Sequence, residues 1–269
     1  MFVGEHAYLH IRRQGTSKSE RLVMGMEFPP RAEWVLYLGC WASYRAVESA
    51  WCTSKILQKL EVDFTVLGKD EKCCGMPFIE TGEDEKAQRL ALANLNAARE
   101  KGATKILTVC PGCYHSLKQA LPKFVSEEMN VQHVSSFLSD KIKSGELELT
   151  KPLEARVTYH DPCKLTRYYS MMEEPRSVIN SIKGIQFVEL PHSRLDARCC
   201  GRVYEKDLAD LTVAMSKERI EEAASVKAQI IATSCPTCAR NLLIGAQLAK
   251  KNITAYDLPV IVAKQAGFI

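Results

Sequence analysis

Two short apolar runs set the pattern of the chain. Trp34–Gly39 runs into Cys40, and Arg156–His160 runs toward Cys163; both read as buried strands. Helical spacing follows each, over Tyr44–Leu60 and Glu174–Ile182. Second strands, Phe64–Leu67 and Ile185–Leu190, each lead to a Cys-Cys-Gly triplet. Glu83–Lys101 sets Ala87, Leu90, Ala91, Leu95 and Ala98 on one helical face, with Asn94 as its single lapse, and Asp207–Val226 is its counterpart. Third strands, Lys105–Val109 and Gln229–Thr233, end at two C-x-x-C motifs, and each motif opens a helix, Tyr114–Leu121 and Ala239–Lys250. Strand and helix alternate three times in each half, which predicts an α/β fold built as two lobes, each a small parallel sheet with flanking helices. The polar stretch Ser144–Glu154, which contains Pro152, reads as a linker. The expected organisation is an N-terminal extension over 1–33, a first domain over 34–150 and a second over 151–269. The extension has no equivalent in the second half, and would be either a flexible segment or an arm that docks on a partner.

Cysteine repeats with the same period. The chain has eleven; setting Cys52 aside leaves ten, in two sets of five. Cys40 stands 33 positions before Cys73-Cys74, and Cys110-Pro-Gly-Cys113 begins 36 positions after Cys74. Cys163 stands 36 positions before Cys199-Cys200, and Cys235-Pro-Thr-Cys238 begins 35 positions after Cys200. Matching cysteines are offset by 123 to 126 positions, so the chain is an internal duplication, expected to relate its halves by a pseudo-two-fold axis.

Composition narrows the function classes. Hydrophobic residues at 46% and charged residues at 25% exclude intrinsic disorder. A net charge of +4, scattered along the chain, gives no electrostatic footprint for nucleic acid. No apolar run approaches the roughly 18 residues of a membrane span, so no transmembrane segment is expected. Met1–Gln14 lacks the apolar core of a secretory signal. Thiol-rich and without an export signal, the chain is expected in the cytoplasm, where patterned cysteines hold metal more often than they form disulfides.

In a parallel α/β sheet, ligands gather beyond the carboxyl ends of the strands. All five cysteines of each set lie at or just after such an end, so five thiols should converge on one point. Glycine after each Cys-Cys pair lets the backbone turn sharply. The proline in each C-x-x-C fits the first turn of the next helix, whose dipole then faces the thiolates. A structural zinc takes four ligands, as does an ordinary cubane cluster, so five thiols point to a less usual cluster or to four ligands and one reactive thiol. Zinc in one or both halves stays open as an alternative.

The doubled pattern C-x(n)-C-C-G-x(n)-C-x-x-C, complete in both halves over residues 34–260, resembles the CCG domain. The whole arrangement is similar to the B subunit of heterodisulfide reductase. The resemblance implies a non-cubane 4Fe–4S cluster on Cys40, Cys73, Cys74, Cys110 and Cys113, and another on Cys163, Cys199, Cys200, Cys235 and Cys238. It implies a thiol/disulfide substrate split in a cavity flanked by the clusters, and by microscopic reversibility two thiols could be joined there. It implies two partners, a ferredoxin-type iron–sulfur protein (the family's C subunit) and a flavin-containing one (its A subunit). The chain itself has neither a ferredoxin-type cysteine run nor a glycine-rich dinucleotide fingerprint.

His160-Asp161-Pro162-Cys163 resembles the family's H-D-P-C, but Lys164 stands where histidine is expected, and the first half has Leu38-Gly39-Cys40-Trp41 instead. His160 and Lys164 are the candidate catalytic residues. Arg45, Lys72, Arg167, Arg198 and Arg202 also lie near cysteines in sequence and, like Lys164, could hold an anionic substrate or balance cluster charge; the bland alternative is a solvated surface. His115 and His192 read as surface or capping histidines that could also shuttle protons. Cys52 reads as a small buried hydrophobe. Rival functions are a sulfur-oxidising variant acting on carrier-bound sulfur, an electron-transfer protein of a lactate or glycolate oxidation system, and a zinc-bearing scaffold.

Overall fold

Each apolar run forms a strand, and the strands assemble into two separate four-stranded parallel sheets. The computed structural model describes residues 26–120, 122, 129–202 and 209–269; most of the expected extension, residues 1–25, lies outside them. The chain divides into two units, Met1–His133 and Val134–Ile269.

In the first unit the strands are β1 (Trp34–Tyr37), β2 (Phe64–Val66), β3 (Lys105–Thr108) and β4 (Asn130–His133), ordered β2-β1-β3-β4. In the second they are β5 (Ala155–His160), β6 (Ile185–Val188), β7 (Ile230–Thr233) and β8 (Thr254–Asp257), ordered β6-β5-β7-β8. Central strands carry continuous buried runs, Val35-Leu36-Tyr37 and Ile106-Leu107-Thr108 among them, as a parallel sheet covered on both faces requires. Each such aliphatic side chain contributes about 1.5–3 kcal/mol by leaving water.

The helices of the first unit are α1 (Gly39–Tyr44), α2 (Val47–Lys59), α3 (Met76–Glu80), α4 (Asp84–Glu100) and α5 (Pro111–Ala120). Those of the second are α6 (Val134–Lys143), α7 (Cys163–Tyr169), α8 (Glu173–Asn180), α9 (Ala209–Ser225), α10 (Pro236–Leu248) and α11 (Leu258–Gln265). The helix expected over Tyr44–Leu60 is α2, and the short α1, which carries Cys40, precedes it; its second-half partner, α8, is likewise preceded by α7, which begins at Cys163 itself. Prolines enter α5 and α10 at the first position, as the C-x-x-C spacing predicts.

Two strand–helix pairs were not legible, β4 with α6 and β8 with α11. Their strands are four residues each and at least half polar, and α6 buries Ser135 and Ser139 on its inner face. The stretch Ser144–Glu154 lies within the second unit. Its Leu147 and Leu149 are buried, Lys151 N–H donates to the Gln265 carbonyl at 2.8 Å, and Leu153 N–H donates to the Lys183 carbonyl at 2.8 Å.

Strand register sets the position of the cysteines. Tyr37, Thr108 and His133 lie level at the ends of β1, β3 and β4, and His160, Thr233 and Asp257 lie level in the second sheet. All ten repeated cysteines follow strands at this carboxyl end. Cys74, Cys113, Cys200, Cys235 and Cys238 are buried, and the other five are half-buried. Cys200, Cys235 and Cys238 share one core with Ile220, Ile231 and Leu242, where α9 packs on α10 above β7.

Candidate metal centres

In the first unit the thiols form a chain of contacts, Cys73 to Cys74, Cys74 to Cys113 and Cys113 to Cys110, with Cys40 facing Cys74, Cys110 and Cys73. The second repeats those three links, Cys199 to Cys200, Cys200 to Cys238 with sulfurs 3.3 Å apart, and Cys238 to Cys235, and adds a fourth from Cys163 to Cys199. No disulfide is formed among the eleven cysteines.

Local backbone geometry makes this convergence possible. Gly39, at φ +67°, packs so closely that a Cβ would stand 2.8 Å from Cys113 Sγ. Gly75 and Gly201, at φ +93° and +82°, let each Cys-Cys loop pass against its helix; a Cβ would lie 2.6 Å from the Ala87 carbonyl oxygen and 2.8 Å from that of Thr212. The same glycines donate their N–H toward Cys73 Sγ at 3.5 Å and Cys199 Sγ at 3.3 Å. Cys235 caps α10, its sulfur accepting from Cys238 N–H at 3.4 Å, so that helix's positive end faces thiol sulfur.

Polar residues that the hydrophobic pattern passed over brace these loops. Asn94 Oδ1 accepts from Lys72 N–H at 2.8 Å, and its Nδ2 donates to the Cys73 carbonyl at 3.2 Å. Ser116 Oγ donates to the Cys74 carbonyl, and Asn241 Nδ2 donates to the Cys200 carbonyl. The Glu71 carboxylate, 2% exposed, accepts from Leu38 N–H at 3.1 Å and Gly39 N–H at 3.0 Å, which anchors the turn that carries Cys40. Ser116 and Asn241 are offset by 125 positions, the C-x-x-C offset, so carrying the repeat beyond cysteine would have found them.

Electrostatics decides what such a site can hold. Burial first, then the charges of Cys74 and Cys110, pushes the Cys40 thiol up. Contact with Cys110, then with Cys74, pushes Cys113 up, and contact with Cys199 does the same for Cys163. Five thiols so close together, each buried or half-buried, cannot all become thiolate, because each charge opposes the next. A polynuclear metal core removes that conflict by binding every sulfur deprotonated. The donor set therefore fits an iron–sulfur centre.

His160 is 1% exposed, and its ring lies with Cys200 and Cys238 in a group whose ligating atoms are all within 4.8 Å of one another. Burial, then the Arg219 charge, lowers its pKa to about 3. Arg219 Nε donates to His160 Nδ1 at 3.2 Å. A guanidinium has only donors, so the ring's proton is on Nε2. Lys164 is half-buried and runs along α7, with Nζ 5.4 Å from the Tyr168 ring centre. Among the other candidates, Arg45 and Lys72 are exposed, and Arg167 donates to the Ala197 carbonyl at 2.9 Å, bracing the loop before Cys199. Arg198 pairs with Glu218 and meets His192, which also meets Glu222 at 3.1 Å. His115 is buried within α5, and Cys52 lies on the buried face of α2.

Residues 34–118 and 157–243 each match the model of the cysteine-rich CCG domain, and the chain belongs to that family in two copies. It is 38% identical over 244 residues to the D subunit of the dihydromethanophenazine:CoB–CoM heterodisulfide reductase of Methanosarcina acetivorans, covering 88% of this chain and 60% of that protein. It is 32% identical over 206 residues to the B subunit of the fumarate reductase (CoM/CoB) of Methanothermobacter marburgensis, covering 75% and 40%. It is 30% identical over 239 residues to the EtfAB:quinone oxidoreductase of Syntrophomonas wolfei, covering 84% and 32%. The chain thus spans 60% or less of the length of these relatives. A hypothetical protein from Helicobacter pylori shares the fold, with a TM-score of 0.66 at 11% identity over 93% of this chain and 55% of that one. Among the described residues no helix is long and apolar enough to cross a membrane.

Proposed function

We propose that this chain is the iron–sulfur subunit of a heterodisulfide-reductase-like complex that reduces, or in the opposite direction forms, a disulfide. The observation that carries the proposal is the pair of five-thiol sets, which share three successive thiol contacts. Cys40, Cys73, Cys74, Cys110 and Cys113 hold one 4Fe–4S cluster of the non-cubane kind, and Cys163, Cys199, Cys200, Cys235 and Cys238 hold the other.

When bound, such clusters supply one electron each. Splitting a disulfide takes two electrons and two protons and yields two thiols. The chain's own residues set the surroundings. Gly75 and Gly201 close the loops over the sulfurs, and the buried helix ends keep water away. Neutral His160 offers its Nε2–H to sulfur in the second set and serves there as a positioning residue. Lys164, beside Cys163, attracts a substrate carboxylate, sulfonate or phosphate. The electrons come from ferredoxin-type and flavin-containing partners, as the resemblance to heterodisulfide reductase implies.

Similarity to an EtfAB:quinone oxidoreductase favours one second reading, in which the chain only passes electrons. The two separate in one assay, using anaerobic, iron-loaded protein and reduced viologen as donor. Viologen oxidation that depends on an added disulfide and yields two thiols per disulfide supports the proposal. Rapid electron uptake with no thiol produced overturns it in favour of electron transfer.

A further inference from the structure

The duplication lets one half serve as the control for the other. Asn94 in α4 and Arg219 in α9 are offset by 125 positions, and both are 0% exposed. Tyr37 and His160 are likewise equivalent, each level with the threonine that ends its neighbouring strand. Where the first unit has neutral groups, the second has a guanidinium beside an imidazole.

Arg219 is held firmly. Nε donates to His160 Nδ1 at 3.2 Å, and Nη1 donates to the His192 carbonyl at 2.9 Å and to Glu222 at 2.5 Å. Its Nη2 is sealed from water and has no hydrogen-bond partner among the described residues. Nε and Nη2 share one edge of the planar group, so this orphan donor opens on the His160 side, where Cys200 and Cys238 lie. Glu222 also meets Arg198, at 3.4 Å, and His192, so its charge is shared. In the first unit the Glu71 carboxylate lies buried behind the turn of Cys40, whereas the carboxylate at the corresponding turn of the second, Asp161, is matched by the Arg176 guanidinium.

A reduced cluster carries one more negative charge than an oxidised one, and hydrogen bonds to its sulfurs raise its potential. A fixed cation therefore favours reduction and a fixed anion opposes it. We propose that Arg219 makes the second cysteine set the more easily reduced of the two centres, by placing a buried positive charge and a spare N–H donor against its sulfur. Glu71 holds the first centre lower. The two centres are thus unequal by construction, which gives electron flow a preferred end.

This inference rests on the ligand sets proposed above, and the experiment keeps the two apart. Iron and sulfide are measured in the full chain, and the two centres are then titrated anaerobically by electron paramagnetic resonance, with Cys74→Ala and Cys200→Ala identifying each signal. A chain that binds no iron overturns the ligand sets themselves. Given iron in both, Arg219→Gln should move only the second centre to lower potential, by tenfold or more in its one-electron equilibrium, about 59 mV. Arg219→Lys, which keeps the charge, should recover most of that shift, and Glu71→Gln should raise only the first centre. An iron-loaded Arg219→Gln protein with an unmoved second centre overturns the inference. If Arg219→Gln fails to hold iron, Glu71→Gln decides: a narrowed gap supports the inference and an unchanged gap overturns it.

Discussion

Arg176 meets Asp161 edge to edge, Nη1 to Oδ1 at 2.8 Å and Nη2 to Oδ2 at 2.9 Å, with both side chains buried and Asp161 just ahead of Cys163 in the chain. Asp161 Oδ2 also accepts from Arg194 N–H at 2.8 Å, and Arg176 reaches on to Glu189 at 2.6 Å. This network fixes the turn from β5 into α7. Removing one member leaves a buried charge uncompensated, so Arg176→Met should cost roughly 3–5 kcal/mol. Urea unfolding checks it, and a loss below about 1 kcal/mol, the range of a surface ion pair, would contradict this role.

Asn94 should matter more than a lapse in a helical face suggests. Asn94→Ala strands the Lys72 N–H and the Cys73 carbonyl, at a cost of about 1–3 kcal/mol. Comparing its unfolding midpoint with that of Arg89→Ala, an exposed position on the same helix, tests this; equal midpoints would refute the bracing role.

Glycines divide into two kinds. Gly75→Ala and Gly201→Ala force a Cβ against backbone in a left-handed conformation, and each should lose the iron of its own unit as well as roughly 1–3 kcal/mol. Gly145→Asn, also at positive φ but with open space around it, should keep full iron. Metal analysis of the three variants gives the comparison, and undiminished iron in Gly75→Ala would show that the loop tolerates displacement.

Of the eleven cysteines, Cys52 is the one outside the duplicated sets. Cys52→Ala should retain all iron, whereas Cys200→Ala should lose the second centre and leave the first unit folded. Iron lost from Cys52→Ala, or kept in Cys200→Ala, would break the assignment of ligands.

What was legible in one dimension follows from the range of the forces involved. Strands β1–β3 and β5–β7 are short apolar blocks, and the cysteine spacing repeats, so both show in the order of residues alone. Strands β4 and β8 are no shorter than β1 or β3 but at least half polar, so they form no apolar block. Glu71, Asp161, Arg176 and Arg219 are buried charges that meet side chains or amides 15 to 59 positions away. Position alone does not distinguish them from solvated residues. The short helices that carry the first cysteine of each set were hidden for a similar reason, because the chain there bends to bring sulfur to a site defined by three separate strands.

The central claim is that two sets of five cysteines hold two redox-active clusters. Iron, sulfide and zinc counted per chain after anaerobic preparation test it most directly. The account predicts about eight irons with matching sulfide and no zinc. Two zincs and no iron would contradict it outright.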